Sequence, residues 1–570
     1  MKNNKINILR ELFKYNGLDG YIVPKNDCYF SEYAFPDRLK EISNFSGSAG
    51  FAIILLNKSY LFVDGRYTLQ AKLQSGKQFS IFEIPNLYPH NIFYKFTKKL
   101  KIGFDPSLFT NLTLKKYFKN TCNLIPLNTN LIDAMNLNRK IVKNDPFYKL
   151  NFTVTGEKVI SKISKIVKIL KRKNIDNIFI SAPENVAWLL NIRGKDNPNS
   201  PIPNSRVIIT KNKKIYFFSN SKKIKKIRKD KEYKKVIFKE EKDFFSTMSS
   251  LKGKNFLIDM LSCSVFFETL INSKFNLVND IDPCYFLKSI KNKIEIENTK
   301  NAHKLDGAAL TKFLFWLKVK NKKKITELDA EKKLEMFRKK SRTYLYPSFN
   351  TIAGSGPNGA IIHYRANKKS NRVIKKNDIF LCDSGGQYKY GTTDVTRTIC
   401  FTKPNNKIKN IYTRVLKGHI AVLNTNLNII NKGHQIDRRA RYFLNQINLD
   451  YSHGTGHGVG FFLNVHEGPQ SISKYNSIPI KEGMILSNEP GYYKENRFGI
   501  RIENLVYVDK VGKKLKFKNF TFAPIDTDLI NFSLLSSKEK KYLSNYHLET
   551  FSNISKYLNN DEKKWLIGLI

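Results

Sequence analysis

The sequence predicts a mixed α/β (α+β) chain built of several domains, with its chemistry in the second half. Three observations carry that reading. Short apolar runs alternate with helical stretches through the first half of the 570 residues. A long helix with a buried stripe begins near Ile294. Beyond it, acidic residues recur inside Gly-rich turns and strand-like segments. With 41% hydrophobic residues a chain of this length can bury several cores, so three domains and a short C-terminal extension are expected.

The N-terminal stretch MKNNKINILRELFKYNGLDGY interleaves charged and apolar residues. It predicts an amphipathic helix and lacks the uninterrupted apolar core of a signal peptide. YIVP, GFAIILL, YLFVDG and IGFD read as strands, separated by helical stretches such as 66–75, in a first domain of residues 1–150. A second α/β domain, 151–292, opens near Thr155 with a helical stripe of Val159, Ile160, Ile163, Val167 and Leu170. It continues through NIFISA, AWLLNI and RVIIT, and its lysine-rich stretch 211–242 is expected to form surface loops and an edge hairpin.

A third domain, 293–510, starts with the long helix, whose buried face is expected from Ala302, Leu305, Ala309, Phe313 and Leu317. Thr326 and Asp329 have the spacing of a capping box for the next helix. Residues 377–383 (NDIFLCD) and 392–400 (TTDVTRTIC) read as two strands joined around Gly385-Gly386, which puts Asp383 across from Asp394. Arg501 and Glu503 alternate with Ile500 and Ile502 and so share one face of a strand. His453 and His457 are four apart, but Gly454, Gly456 and Gly458 argue against a helix. HGTGHGVG is expected to be a loop that lets the backbone approach a ligand. Residues 511–570 form the extension, with Ser536 or Ser537 capping its helix.

A lone Asp in a DSGG turn is ordinary turn chemistry, and a lone Glu before Pro-Gly is ordinary loop chemistry. Asp383, Asp394, His457, Glu489 and Glu503 in order, each beside glycines or in a strand, are a candidate ligand set. Four carboxylates and one imidazole are too hard and too acidic for a structural zinc site. They suit two divalent ions of the Mn2+ type, about 3.5–4 Å apart around a bridging water. Such a pair hydrolyses bonds.

These segments resemble the Xaa-Pro aminopeptidases of the pita-bread metallopeptidase family, in their long three-domain form. The resemblance rests on SGPNGAIIHYRA around His363, DSGGQYKYGTTDVTRT, LKGHIAV, HGTGHGVG with NVHEGP, NEPGYY and FGIRIEN. It extends to DGYIVP, SEYA, FSGSAGFAI and VDGRYTLQA near the N-terminus, and to NVAWLLNIRG in the middle. It implies two creatinase-like α/β domains, then a pita-bread catalytic domain. The implied activity is release of the N-terminal residue from peptides with proline second, by attack of a hydroxide that bridges the metals.

The resemblance further implies that Asp383 and Glu489 each belong mainly to one metal, that Asp394 and Glu503 bridge, and that His457 completes the second ion. His363, His453 and His466 would line the substrate cleft, with Arg66 of DGRY reaching substrate from the N-terminal domain. Arg501 would sit beside Glu503 and orient it. In the expected chemistry His466 polarises the scissile carbonyl, His363 and His453 position the peptide, and Glu489 shuttles the proton that the proline nitrogen needs. Two ions per subunit, most simply Mn2+, and a homodimer formed by the catalytic domains complete the expectation. The alternatives are a prolidase restricted to dipeptides and a metal-free peptide-binding protein on the same fold; the complete ligand set speaks against the second.

The formal charge of +51 would ordinarily suggest nucleic acid. Here the lysines are spread as KNKK, KKIKKIRK and KNKKK runs among abundant Asn and Ile, the pattern of a chain-wide residue bias. There is no aromatic-interleaved basic platform, helix-turn-helix or zinc-finger signature, so no nucleic-acid partner is expected. No apolar run reaches 18 residues, so no membrane helix is expected either. The six cysteines, at 28, 122, 263, 284, 382 and 400, have no CxxC spacing, as in reduced thiols of a cytoplasmic protein.

Overall fold

The computed structural model describes residues 2–135, 144–321 and 323–570. They form two compact units: Met1–Asn151 with Glu157–Pro198 and Ile202–Tyr285, and Phe286–Ile570 with Phe152–Gly156 and Asn199–Pro201.

The first unit contains two six-stranded sheets. One runs in the order Ser80–Ile84, Ser59–Asp64, Phe51–Leu55, Gly20–Pro24, Lys101–Phe104, Asn123–Pro126. Its central strands GYIVP and FAIIL are buried along their whole length, as unbroken apolar runs must be when both faces are covered. The helix Lys2–Tyr15 precedes it as expected and packs Leu9 and Phe13 against Leu18 and Tyr21. The helix expected over 66–75 spans Thr68–Ser75, which leaves Arg66 in the turn before it.

The second sheet runs Val236–Lys239, Ile215–Phe218, Arg206–Thr210, Asn177–Ile180, Asn255–Asp259, Asn276–Asp280. The helix Val159–Arg172 buries Val159, Ile163, Ile166, Val167 and Leu170. Ile160 is 53% exposed, so Ile166 and not Ile160 completes the stripe. The edge hairpin expected in 211–242 is also corrected. Ile215–Phe218 and Val236–Lys239 pair in parallel, which needs a crossover. The helix Ser221–Arg228 supplies it by burying Ile224 and Ile227 under its lysines.

The second unit opens on the helix Lys293–Phe315, capped by Asn292, which accepts from the backbone N–H of Ile294 and Glu295. Ala302, Ala309 and Phe313 are buried and Leu305 half-buried; Leu317 is buried in the π-helical turn Trp316–Lys320 that follows. Thr326 caps Glu327–Arg338 through the reciprocal box with Asp329. Two sheets carry the site. One pairs Ile352–Ser355, Ile379–Ser384 and Val395–Cys400; the other runs Glu467–Ile472, Gly456–Gly458, Ile485–Asn488, Asn504–Val511, Lys514–Asn519. Between them stands the hairpin Gly491–Lys494/Phe498–Arg501.

Helices Asn406–Leu423 and Gly433–Asn445 pack behind these sheets, and Ser536 caps the C-terminal helix Ser537–Ile554. One core joins Tyr412, Val415 and Leu416 to Ile500, Ile502, Ile525 and Tyr546. Each such side chain contributes about 1.5–3 kcal/mol when fully buried. The strand that bears Arg501 is thereby fixed from behind.

Candidate active site

Strands Ile379–Ser384 and Val395–Cys400 are antiparallel, with Asp383 opposite Thr396. Asp394 therefore lies diagonal to Asp383 on the same face, one residue before its strand begins, and not directly across. The expected tight turn is absent because the chain leaves this sheet at Gly385 to form Gly386–Tyr388 and Gly391–Thr392 in another. A Cβ on Gly385 would stand 1.9 Å from the Thr393 carbonyl oxygen, so only glycine permits that exit.

Residues 500–503 are not one alternating strand either. The chain changes sheet between Phe498–Arg501 and Asn504–Val511, and Glu503 sits at the change, its N–H donating to Thr396 O at 3.2 Å. His457 lies on the short strand Gly456–Gly458, at a bulge, where a loop was expected. The glycine serves strand packing here: a Cβ on Gly456 would fall 2.0 Å from Ser487 O. Glu489 follows Ile485–Asn488 and is fixed by its N–H to Thr455 O at 2.8 Å.

These elements gather the acids and the imidazole. Asp394, His457 and Glu503 each offer a ligand atom, all within 4.8 Å of one another. His457 places Nδ1 2.9 Å from Gly458 O, which leaves Nε2 3.5 Å from both Asp394 Oδ2 and Glu489 Oε1. Ser487 Oγ donates to Glu489 Oε1 at 3.2 Å. Asp383 gives one oxygen to Arg501, 2.6 Å away, while its Oδ1 is buried with no hydrogen-bond partner among the described residues.

Crowding buried carboxylates opposes their ionisation. Burial first, then the neighbouring acids, push Asp394 up to about 6 and Glu503 well above its usual range. At His457 burial opposes the charge, but the Asp394 hydrogen bond and the charges of Glu489 and Asp394 outweigh it and raise the imidazole to about 9. An orphaned carboxylate oxygen, acids held far from their ordinary behaviour and an imidazole nitrogen turned toward them are the donor set that hard divalent cations neutralise. The residues fit such ions.

Arg501 corrects a second expectation. Its Nη2 grips Asp383, its Nη1 donates to Tyr493 Oη at 2.6 Å, and its Nε donates to Thr396 Oγ1 at 3.1 Å. Glu503 is reached one step further on, where Thr396 Oγ1 donates to Glu503 Oε2 at 2.7 Å. Tyr493, four residues after Glu489, was not singled out by the sequence reading although it stands in NEPGYY. It links Arg501 to His453, whose Nε2 is 2.9 Å from the Tyr493 hydroxyl. His453 Nδ1 is 2.7 Å from Gly454 O and donates to it, so Nε2 is the acceptor of the tyrosine proton.

His466 stacks edge-on against His457, ring centroids 4.4 Å apart. The next residue, Glu467, is clamped by two buried lysines, Lys291 at 2.5 Å and Lys288 at 3.1 Å. His363 lies in the segment after the turn Gly356–Ala360. That segment is pinned by Glu327, a fully buried carboxylate that accepts from Ser355 N (2.8 Å), Asn358 Nδ2 (3.0 Å), Tyr364 Oη (2.7 Å) and Arg372 N (3.0 Å). Arg66 belongs to the first unit. Its guanidinium is 31% exposed and holds Asp64 with two bonds, 2.9 and 2.7 Å, beside the Tyr67 ring.

A buried acid cluster with an attendant imidazole, carried on paired sheets that follow two α/β sheets in the sequence, defines a metal-dependent hydrolase. The chain belongs to metallopeptidase family M24. Residues 297–510 match the model of that family, and 513–568 match the C-terminal region of peptidase M24. Residues 5–140 and 138–295 match Creatinase/Prolidase N-terminal domains. The fold is therefore the expected one, creatinase-like domains ahead of a pita-bread catalytic domain.

Among its relatives, the probable Xaa-Pro aminopeptidase P of Laccaria bicolor is 37% identical, over 98% of this chain and 91% of that protein. The protein of the same name in Coprinopsis cinerea is 36% identical over 98% and 96%. The solved X-prolyl aminopeptidase of Caenorhabditis elegans, described as a cytosolic enzyme with a di-nuclear active site, matches all of this chain and 99% of its own, with 30% identity and a TM-score of 0.94. The prolidase of Pyrococcus furiosus matches 62% of this chain with 26% identity and a TM-score of 0.51.

Proposed function

We propose that this protein is an Xaa-Pro aminopeptidase, cleaving the bond before a proline in second position. One observation carries the reading: the acid and imidazole set converges on a chain that aligns from end to end with proteins of that name. Prolidase is the weaker reading, since the prolidase above accounts for 62% of the chain. A metal-free binding protein would have no use for Asp383, Asp394, His457, Glu489 and Glu503 together.

In this reading those five would hold two divalent cations, and Mn2+ would suit the hard oxygen donors. The bound ions supply an acidified water and a Lewis acid for the carbonyl. The chain's residues do the rest. Arg501 orients Asp383, and Thr396 orients Glu503. His466 donates a hydrogen bond to the scissile carbonyl oxygen, while His363 and His453 hold the peptide. Proline's nitrogen leaves only once protonated, and Glu489 delivers that proton from the attacking water. Tyr493 keeps His453 in place.

Arg66, held by its bidentate bond to Asp64, is assigned to substrate on the family resemblance alone. Arg501, through its spare reach to Tyr493, also borders the peptide. The protein acts in the cytoplasm as a homodimer. Support for the compartment comes from the cytosolic relative and from six cysteines that form no disulfide among the described residues; no helix of the described residues is long and apolar enough to cross a membrane. The dimer rests on the family resemblance. The test is release of Arg from Arg-Pro-Pro with and without Mn2+, against Arg-Pro. Metal-stimulated cleavage of the tripeptide is expected; cleavage of the dipeptide alone would move the assignment to prolidase, and cleavage of neither would sink it.

A further inference from the structure

Arg397 is fully buried, and its five N–H groups lie within hydrogen-bond distance of six acceptors, three of them around Nη2 and none of them a carboxylate. Three belong to the strands that carry the acid cluster: Thr396 O at 2.8 Å, Glu503 O at 2.6 Å and Asn504 Oδ1 at 2.8 Å. The other three belong to the C-terminal extension: Ala523 O at 2.8 Å, Pro524 O at 2.9 Å and the hydroxyl of Tyr546 at 2.7 Å. Tyr546 stands on the helix Ser537–Ile554 and donates onward to Ala523 O at 2.7 Å.

A buried guanidinium with no counter-ion persists only when its planar fork of N–H groups is fully satisfied. Its position is then dictated by all six acceptors at once, half of them outside the catalytic sheets. The same fork holds the carbonyl of Glu503, and the neighbouring Thr396 holds that residue's carboxylate.

We infer that Arg397 is a positioning residue through which the C-terminal extension, by way of Tyr546, sets Glu503 for cation binding. The inference rests on the proposed role of Glu503 as a ligand. It gives the extension a part in the chemistry and not only in packing. Deleting the Tyr546 hydroxyl leaves Nη2 with two acceptors, Asn504 Oδ1 and Ala523 O, for its two N–H groups, and the fork settles where these remaining acceptors place it. Glu503 moves with it.

The experiment is calorimetric titration of the metal-stripped, full-length protein with Mn2+, alongside thermal unfolding. Tyr546→Phe is expected to weaken Mn2+ binding about 10-fold, the effect of losing a group that orients a ligand. Arg397→Lys keeps the charge with three donors for six acceptors, and is expected to weaken binding at least as much. Leu566→Ala, in the same extension but packed away from Arg397 among Phe522 and Ile554, is expected to lower Tm with Mn2+ affinity unchanged. Wild-type affinity in a folded Tyr546→Phe or Arg397→Lys, or an equal loss in Leu566→Ala, overturns the inference. Glu503→Gln separates the two levels: if it binds Mn2+ like wild type, the ligand assignment itself is wrong.

Discussion

Arg501 and Asp383 form a buried ion pair, Nη2 to Oδ2 at 2.6 Å, on strands 118 residues apart in sequence. The same guanidinium also holds Tyr493 and Thr396. Arg501→Ala would leave Asp383 buried and unpaired, at about 3–5 kcal/mol in stability. Arg501→Lys keeps the charge but loses the fork, so Asp383 and Thr396 cannot both be served. Denaturant unfolding of both variants, with Mn2+ titration of the folded lysine variant, should show lower stability and weaker binding in that order.

Asp394→Asn keeps the shape of a proposed ligand and removes its charge. Turnover of Arg-Pro-Pro should fall by at least about three orders of magnitude, the scale of losing several kcal/mol of barrier lowering. Metal analysis should show less than the wild-type complement. Full activity at unchanged metal content would contradict a two-ion site.

Glu327→Gln tests the clamp on the segment that carries His363. One amide cannot accept all the donors that now converge on the carboxylate, and an unmet buried donor costs about 1–3 kcal/mol. The expected signature is faster proteolysis within residues 355–372 and a raised KM. A raised KM should vanish in a His363→Ala background, because the two changes act through the same contact.

His547 contributes to the acid limb of the stability profile, together with His303 and His419, which burial likewise holds down to about 4 and about 3. It is fully buried, and burial first, then Arg397, hold it down to about 4 despite hydrogen bonds with Leu569 O and Ile525 N. Its folded pKa lies below the unfolded value, so the unfolded chain binds the extra proton between about pH 6.5 and 4. Stability should therefore be full above pH 6.5 and fall by roughly 3 kcal/mol as pH drops through that window. Urea unfolding from pH 7 to 4 measures it, and His547→Gln should flatten the slope.

Arg66→Ala tests whether the first unit takes part in catalysis. A charged substrate contact in a partly desolvated cleft is worth about 2–5 kcal/mol, against under about 1 for an exposed pair such as Arg66–Asp64 taken alone. A higher KM on tripeptides with unchanged Tm and metal content is expected. Wild-type kinetics would reduce Arg66 to a local turn contact.

The candidate site positions were legible because each is marked by its own neighbours: glycines beside His457, a strand before Asp383, Pro490 after Glu489. What escaped the sequence lies in long-range registers. The Asp383–Asp394 relation was misjudged because the exit at Gly385 into a second sheet leaves no mark beyond one more glycine. Arg501 was assigned to Glu503, its neighbour in sequence, when Asp383 is its partner in space. Tyr493, Glu327 and Arg397 were missed as organisers because what they organise is set by tertiary pairing. In the first unit, 211–242 misled for another reason: its lysines hide the Ile224 and Ile227 stripe that makes a crossover helix.

Glu503 occupies the step where the chain passes from one sheet to another, and both sheets vote on where it stands. A one-residue slip in Val395–Cys400 would turn Thr396 to the opposite face and strip Glu503 of its partner. A slip in Asn504–Val511 would drag the carboxylate along the seam. Misregistered chains therefore cannot assemble the donor set, and cations that bind only the correctly paired form draw the population toward it. By that linkage the correctly aligned form should gain stability with cation concentration, read as a Tm that rises on Mn2+ addition.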